Sequence, residues 1–254
     1  MSLYVERRPR TGRPLLVLLH GWGLHSDVWQ PLLPALRAHF DPLLIDLPGL
    51  GRSSALTGPV TVQAVAAEVL QQVDESAIWL GWSLGGLVAA QAARQAPERV
   101  SALVTVASNP CFVAREDWPC GMAADIFDGF VSAQATDSAR TLASFALLQS
   151  RGEGARDILR ALKAVLAEHE PAGLADNLML LAEDHRETLA GLALPALHIF
   201  GESDHLVPAT ILERMQALQP QARVRLYEGA GHLPFYSHQD RFVDELVAFV
   251  GAGL

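Results

Sequence analysis

The chain has 254 residues, 50% of them hydrophobic and 19% charged, and carries a net charge of −9. That length and apolar content fit one globular domain, with or without an insertion, and exclude a disordered or fibrous chain. The acidic balance argues against nucleic acid or anionic membrane as a partner, because phosphate-binding surfaces need an excess of Lys and Arg.

Arg7, Arg8, Arg10 and Arg13 precede the first apolar run, Leu15 to Leu19, which ends at His20. The run is shorter than the roughly 7–15 residues of a secretory signal, and no stretch approaches the ~20 of a membrane span. A cytoplasmic protein is therefore expected. The run reads as a buried strand. Similar runs stand at Leu43–Ile45, Ala77–Leu80, Ala102–Val106 and Ala196–Phe200, with a weaker one at Val224–Tyr227. Helical periodicity falls at Val62–Val73, Leu84–Gln95, Ala209–Leu218 and Asp240–Val250. Continuous apolar runs indicate a parallel sheet buried on both faces, and their alternation with helices indicates a doubly wound α/β fold. From Cys111 to Glu187 the strand signal stops and only helical patterning remains. The expected organisation is an α/β core from 1–110 and 188–254, with a helical lid from 111–187 inserted over the carboxyl edge of the sheet.

The two cysteines, Cys111 and Cys120, form no Cys-x-x-Cys pair, and no histidine spacing around them matches a zinc site. A chain this long buries about 70–75% of its unfolded surface and holds a core without disulfide or metal. Two reduced, buried thiols, no metal and no cofactor are expected.

Gly81-Trp82-Ser83-Leu84-Gly85 fits Gly-x-Ser-x-Gly, with a strand running in and a helix running out. In that setting a serine sits on a sharp turn with Oγ exposed, and the glycines remove Cβ atoms from the crowded turn. The following helix points its first N–H groups at the place where negative charge develops. The alternative is a Gly-rich turn with an incidental serine.

A serine nucleophile needs a base, and the base needs a carboxylate to orient it. Asp204 follows the strand that ends at Phe200, and His232 follows the strand that ends at Tyr227, on a loop of small residues. The order Ser83, Asp204, His232 fits an acyl-transfer triad. Glu202 is the rival to Asp204 and reads as a solvated loop charge. His238 falls on a surface helix, and His205 is adjacent to the acid itself. The oxyanion needs two donors: the N–H of Leu84 and, from His20-Gly21-Trp22-Gly23 after the first strand, the N–H of Trp22. His20 reads as a structural residue that bonds loop backbone.

These residues resemble the α/β-hydrolase superfamily. Leu18 to Leu24, Asp46 to Ser53, Ile78 to Ala89, Pro97 to Val100 and Leu103 to Phe112 resemble, more closely, the BioH-type esterases of biotin synthesis. The resemblance covers nearly the whole chain and is weakest after Lys163 and in the last strand. It implies hydrolysis of the methyl ester of pimeloyl-acyl carrier protein, with Ser83 as nucleophile, His232 as base and Asp204 as orienting acid. It places Trp22 and Leu84 at the oxyanion. It also implies that Phe145, Ala146, Leu147, Leu148 and Gln149 line an acyl channel with Trp82. Plain packing of lid against core is the other reading of Phe145 and Trp82.

The resemblance further implies docking of the acidic acyl carrier protein on basic lid residues. Between Arg140 and Lys163 stand Arg140, Arg151, Arg156, Arg160 and Lys163 against Glu153 and Asp157. At about 100° per residue, Arg156, Arg160 and Lys163 share one helix face, and Ile158, Leu162 and Val165 share the opposite one. The alternative is a solvated face with Glu153–Arg156 and Asp157–Arg160 pairs. Ser144 stands where the resemblance leads one to expect another arginine. The functional expectation is a monomeric serine carboxylesterase. A general short-chain carboxylesterase or carbon–carbon bond hydrolase shares the triad, and a non-catalytic binding scaffold would not need it.

Overall fold

The computed structural model describes residues 2–169 and 171–252. A seven-stranded sheet in the order β1-β3-β2-β4-β5-β6-β7 forms its centre. The strands are β1 (Val5–Arg7), β2 (Leu15–Leu19), β3 (Asp41–Ile45), β4 (Ala77–Trp82), β5 (Val100–Val106), β6 (Ala196–Gly201) and β7 (Arg223–Tyr227). All neighbours run parallel except β1, which is antiparallel to β3. The helices are α1 (Leu33–Leu36), α2 (Val62–Leu70), α3 (Leu84–Gln95), α4 (Ala124–Thr136), α5 (Ser138–Gln149), α6 (Ala155–Leu166), α7 (Leu174–Met179), α8 (Arg186–Ala190), α9 (Ile211–Leu218), α10 (Pro234–Ser237) and α11 (Gln239–Gly251).

The apolar runs are buried because both faces of the sheet are covered. Leu15, Val17 and Leu19 pack into one cluster with residues of α2, α3 and α9, while Leu16 and Leu18 pack into a second with α1, α10 and α11. All six strands expected from the sequence form, and β1 is an addition. It is a three-residue strand carrying Glu6 and Arg7, only partly buried, at the rim of the sheet. Short charged edge strands of this kind carry no apolar run to read. Pro42 lies in β3 opposite Leu16, beyond the residues that β1 pairs, so its missing N–H costs no ladder bond on that side. The helix expected over Val62–Val73 stops at Leu70, where Arg99 donates to the Leu70 and Val73 carbonyls at 3.1 and 3.2 Å. Cys111 and Cys120 are free and buried.

Between β5 and β6 the described residues form helices α4 to α8 and two isolated bridges. This segment is tied to the sheet's loops by specific hydrogen bonds. The Trp22 indole donates to the Leu174 carbonyl at 2.9 Å, Asn177 to the Pro48 carbonyl at 3.0 Å, and His185 N–H to the Pro110 carbonyl at 2.7 Å. No described helix is long and apolar enough to cross a membrane.

β2 has β3 on one side and β4 on the other, so the connections after β2 and β4 leave in opposite directions. Such a switch point opens a crevice at the carboxyl ends of the strands. His20–Gly23 and Ser83–Gly85 line it, and the loops after β6 and β7 lie along the same edge.

Candidate active site

Ser83 has φ 54° and ψ −118°, a conformation that side chains other than glycine rarely adopt. It is held there by its surroundings. A Cβ on Gly81 would overlap the Gly85 carbonyl, and a Cβ on Gly85 would come within 2.5 Å of the Leu19 carbonyl oxygen. Gly21 lies against Ser83 in turn, with its Cβ position 3.2 Å from that of Ser83. The serine therefore stands at the start of α3, in backbone contact with the loop after β2.

Asp204 and His232 meet on the same edge, and His232 Nδ1 lies 2.7 Å from Asp204 Oδ2. The other Asp204 oxygen accepts from the Leu206 and Val207 N–H groups at 2.8 and 3.1 Å. A carboxylate that accepts two amide bonds is an acceptor toward the ring as well, so Nδ1 carries the proton and Nε2 keeps its lone pair. Nε2 is buried and has no hydrogen-bond partner among the described residues. The Ser203 N–H donates to the Ala230 carbonyl at 2.8 Å, and the Gly229 N–H to Glu202 Oε2 at 2.9 Å. Glu202 is a loop charge, as expected, and it also accepts a backbone hydrogen bond. It is exposed, yet it ties the acid loop to the base loop, a link between loops that no spacing in the chain reveals.

The N–H groups of Trp22 and Leu84 donate to no protein acceptor among the described residues. Leu84 opens α3, where N–H groups have no intrahelical partner. His20 holds the neighbouring loop. Its Nε2 accepts from the Leu47 N–H at 2.9 Å, and Nδ1 lies 2.8 Å from the Gly21 carbonyl. Burial lowers its pKa to about 4, so the ring is neutral.

Above the crevice, the rings of Trp22, Phe130 and Phe145 stack edge to face or tilted, with centroids 5.1 to 5.3 Å apart. Phe130 on α4 is absent from the sequence expectations. Its signal is the i, i+3 spacing from the buried Phe127. Phe145, Ala146 and Gln149 are buried and Leu148 is half-buried, but Leu147 is 56% exposed. Leu147 lies about 200° around α5 from Phe145, so the five residues expected to line one channel do not share one buried face. Trp82 also lies apart from Phe145. It is fully buried in the second cluster, donates from Nε1 to the His232 carbonyl at 2.8 Å and packs against the His232 ring at 5.6 Å.

Arg140, Arg156, Arg160 and Lys163 are all exposed. Ile158, Leu162 and Val165 on the other side of α6 are buried, so the helix presents its basic face outward. Arg160 pairs with Asp157. Glu153 turns away from Arg156, toward His238 Nε2 at 3.6 Å. His238 stands half-buried just before α11, and its ring meets that of Tyr227 edge to face with centroids 5.6 Å apart. Among the described residues, His25, Glu168 and His169 have donor atoms within 4.8 Å of one another. His25 Nε2 already lies 2.9 Å from the Val165 carbonyl, and Nδ1 faces the Arg52 guanidinium at 3.4 Å, so neither nitrogen is free for a cation.

The sheet order, the strained serine after β4 and the loop-borne acid and base are those of an α/β hydrolase. A family model for the alpha/beta hydrolase fold matches residues 14–239, and the chain belongs to that family. An esterase from Exiguobacterium antarcticum superposes with a TM-score of 0.88 at 23% identity, covering 98% of this chain and 95% of that one. Within the family, the chain is similar to the pimeloyl-[acyl-carrier protein] methyl ester esterase of Klebsiella pneumoniae, at 46% identity over 92% of each chain. It is similar to the protein of the same name from Edwardsiella ictaluri at 47% identity, over 94% of this chain and 93% of that one.

Proposed function

We propose that the chain is a serine carboxylesterase that hydrolyses the methyl ester of pimeloyl-acyl carrier protein to pimeloyl-acyl carrier protein and methanol, a step in biotin synthesis. The observation that carries the reading is the Asp204–His232 pair at 2.7 Å, with Nε2 unpartnered, on the strand edge that holds the strained Ser83. The similarity to methyl ester esterases of the same length supports the substrate.

In this reading His232 Nε2 takes the Ser83 proton as Oγ attacks the ester carbonyl. The Trp22 and Leu84 N–H groups bind the oxyanion, and being fixed backbone they need no reorganisation as charge develops. His232 then returns the proton to the departing methanol. Water enters, gives its proton to His232 and attacks the acyl-enzyme carbonyl, and Ser83 leaves with the proton restored. Asp204 keeps the ring in the required tautomer and steadies the imidazolium. Every group in the scheme is a side chain or amide of one chain, so the reaction as written draws on neither a second subunit nor a cofactor.

Residues 111–187 act as the lid. Trp22, Phe130, Phe145, Leu148 and Gln149 contact the acyl chain, and Trp82 supports His232 from below. The exposed cations Arg140, Arg156, Arg160 and Lys163 dock the acidic acyl carrier protein, and the protein works in the cytoplasm beside it. The test is methanol release from pimeloyl-acyl carrier protein methyl ester, set against free methyl pimelate. A kcat/KM at least ten-fold higher for the carrier-bound ester is expected. Equal values would favour a general carboxylesterase instead.

A further inference from the structure

We propose that Gly152, in the turn between α5 and α6, is a positioning residue for His232, and that Arg151–Glu153 is the seat on which the His232 loop is held. The inference rests on His232 being the base.

The loop Gly229–Gly231 is clamped between two backbones. On the sheet side, a Cβ on Gly201 at the end of β6 would overlap the Ala230 and Gly231 carbonyls. On the lid side, a Cβ on Gly231 would overlap the Arg151 carbonyl. Gly152 has φ +101°, and its Cβ would stand 2.7 Å from the Gly231 nitrogen and 2.8 Å from the Gly229 carbonyl oxygen. The Glu153 N–H closes the contact by donating to that oxygen at 2.8 Å. Arg151 NH1 also lies 3.5 Å from His205 Nδ1, next to Asp204, so the turn touches both the acid loop and the base loop.

Three layers of main chain are thus stacked with no side chain between them, and main chain yields far less than a flexible side-chain tip. Gly231 is the residue before His232. Any atom added at position 152 pushes Gly231 away from the turn, and the imidazole moves with it. The sheet side cannot absorb the shift, because Gly201 already touches the loop from there. A hydrogen bond of 2.7 Å between Asp204 and His232 tolerates little displacement. Misplacing a reacting group by about 1 Å costs on the order of 10²-fold in rate.

Gly154 provides the control. It also has a positive φ, +74°, but its Cβ would meet only Ile158 side-chain atoms, the nearest at 3.7 Å. Alanine there strains the backbone without touching the His232 loop. The experiment compares Gly152→Ala, Gly154→Ala and His232→Ala on a small p-nitrophenyl ester. It also follows the downfield proton resonance of the His232 Nδ1–H bonded to Asp204. Gly152→Ala is expected to lower kcat at least ten-fold with KM within two-fold, and to shift or broaden that resonance. Gly154→Ala should keep kcat within two-fold and the resonance unchanged. A Gly152→Ala enzyme with full kcat and an unmoved resonance overturns the proposal while an inactive His232→Ala leaves the base assignment standing. An active His232→Ala overturns the base assignment itself. Gly152→Asn is a second variant, with the same Cβ in a residue that tolerates positive φ better. If neither variant folds, amide exchange of the wild-type protein decides. Glu153 N–H exchange as slow as the sheet's supports the seat, and exchange as fast as an open loop's overturns it.

Discussion

The Trp82 indole donates to the main-chain carbonyl of His232 at 2.8 Å across 150 residues of sequence. The residue before the serine thereby holds the backbone of the base, in addition to packing against its ring. Trp82→Phe keeps an aromatic ring but removes the donor and leaves a cavity where the rest of the buried indole stood. We expect kcat to fall about three- to ten-fold, with a loss of roughly 2–3 kcal/mol of stability from the bond and the cavity together, or about 4–12 °C in Tm for a chain of this size. Steady-state kinetics beside a thermal melt checks both, and unchanged kcat would mean that the bond serves stability alone.

Ser83→Ala and His232→Ala should each lower kcat by at least ~10³, and the double variant should be little worse, since the two act as a unit. Multiplicative losses in the double variant would show that they act independently. Circular dichroism should show all three folded.

His20 and His198 make the folded state acid-sensitive. Both are fully buried, and desolvation lowers each pKa to about 4 from 6.5. His198 lies between Thr105 and Gln219, 2.6 and 2.7 Å away. Between those pH values the unfolded chain binds protons that the native chain refuses, so unfolding takes up protons and stability falls as pH falls. Asp46 extends the loss to lower pH. Burial alone would raise its pKa, but hydrogen bonds from Arg52 and the charge of a protonated His20 hold it well below the usual carboxylate range. Urea unfolding at pH 7, 6 and 5 should show a falling midpoint, with the unfolding free energy dropping by about a few kcal/mol in all. A constant midpoint would mean that these rings take up protons alike in the folded and unfolded chain.

Changing Arg156, Arg160 and Lys163 together to Glu reverses the outward face of α6. KM for a carrier-bound methyl ester should rise about ten-fold or more, or roughly 1.4 kcal/mol. For a p-nitrophenyl short-chain ester, kcat/KM should stay within about two-fold, since exposed substitutions rarely cost more than ~0.5 kcal/mol. Wild-type activity on the carrier substrate should also weaken with salt, because exposed charges are screened over about 8 Å at physiological ionic strength. Equal loss of both activities would assign the face to the lid's structure. Loss of neither would leave it a solvated helix surface.

The sharp turn at Ser83, the loop positions of Asp204 and His232 and the six strands from β2 to β7 were legible because each rests on a local pattern: an apolar run, a turn and a chemically apt residue just beyond it. The basic face of α6 was legible for the same reason, since helical periodicity alone separates Ile158, Leu162 and Val165 from Arg156, Arg160 and Lys163. The charged edge strand Val5–Arg7 was not, because its strand state comes from pairing with β3 rather than from its own residues. Leu147 reads as part of an apolar stretch, and only the packed helix shows that it is exposed while Phe145 and Ala146 are buried. The Glu202–Gly229 tie, the Trp82–His232 bond and the Trp22–Phe130–Phe145 cluster join segments far apart in the chain. Only tertiary structure decides them, because a contact between distant segments depends on how the sheet orders its strands and where the helices between β5 and β6 pack upon it, and neither is encoded in any single stretch of sequence.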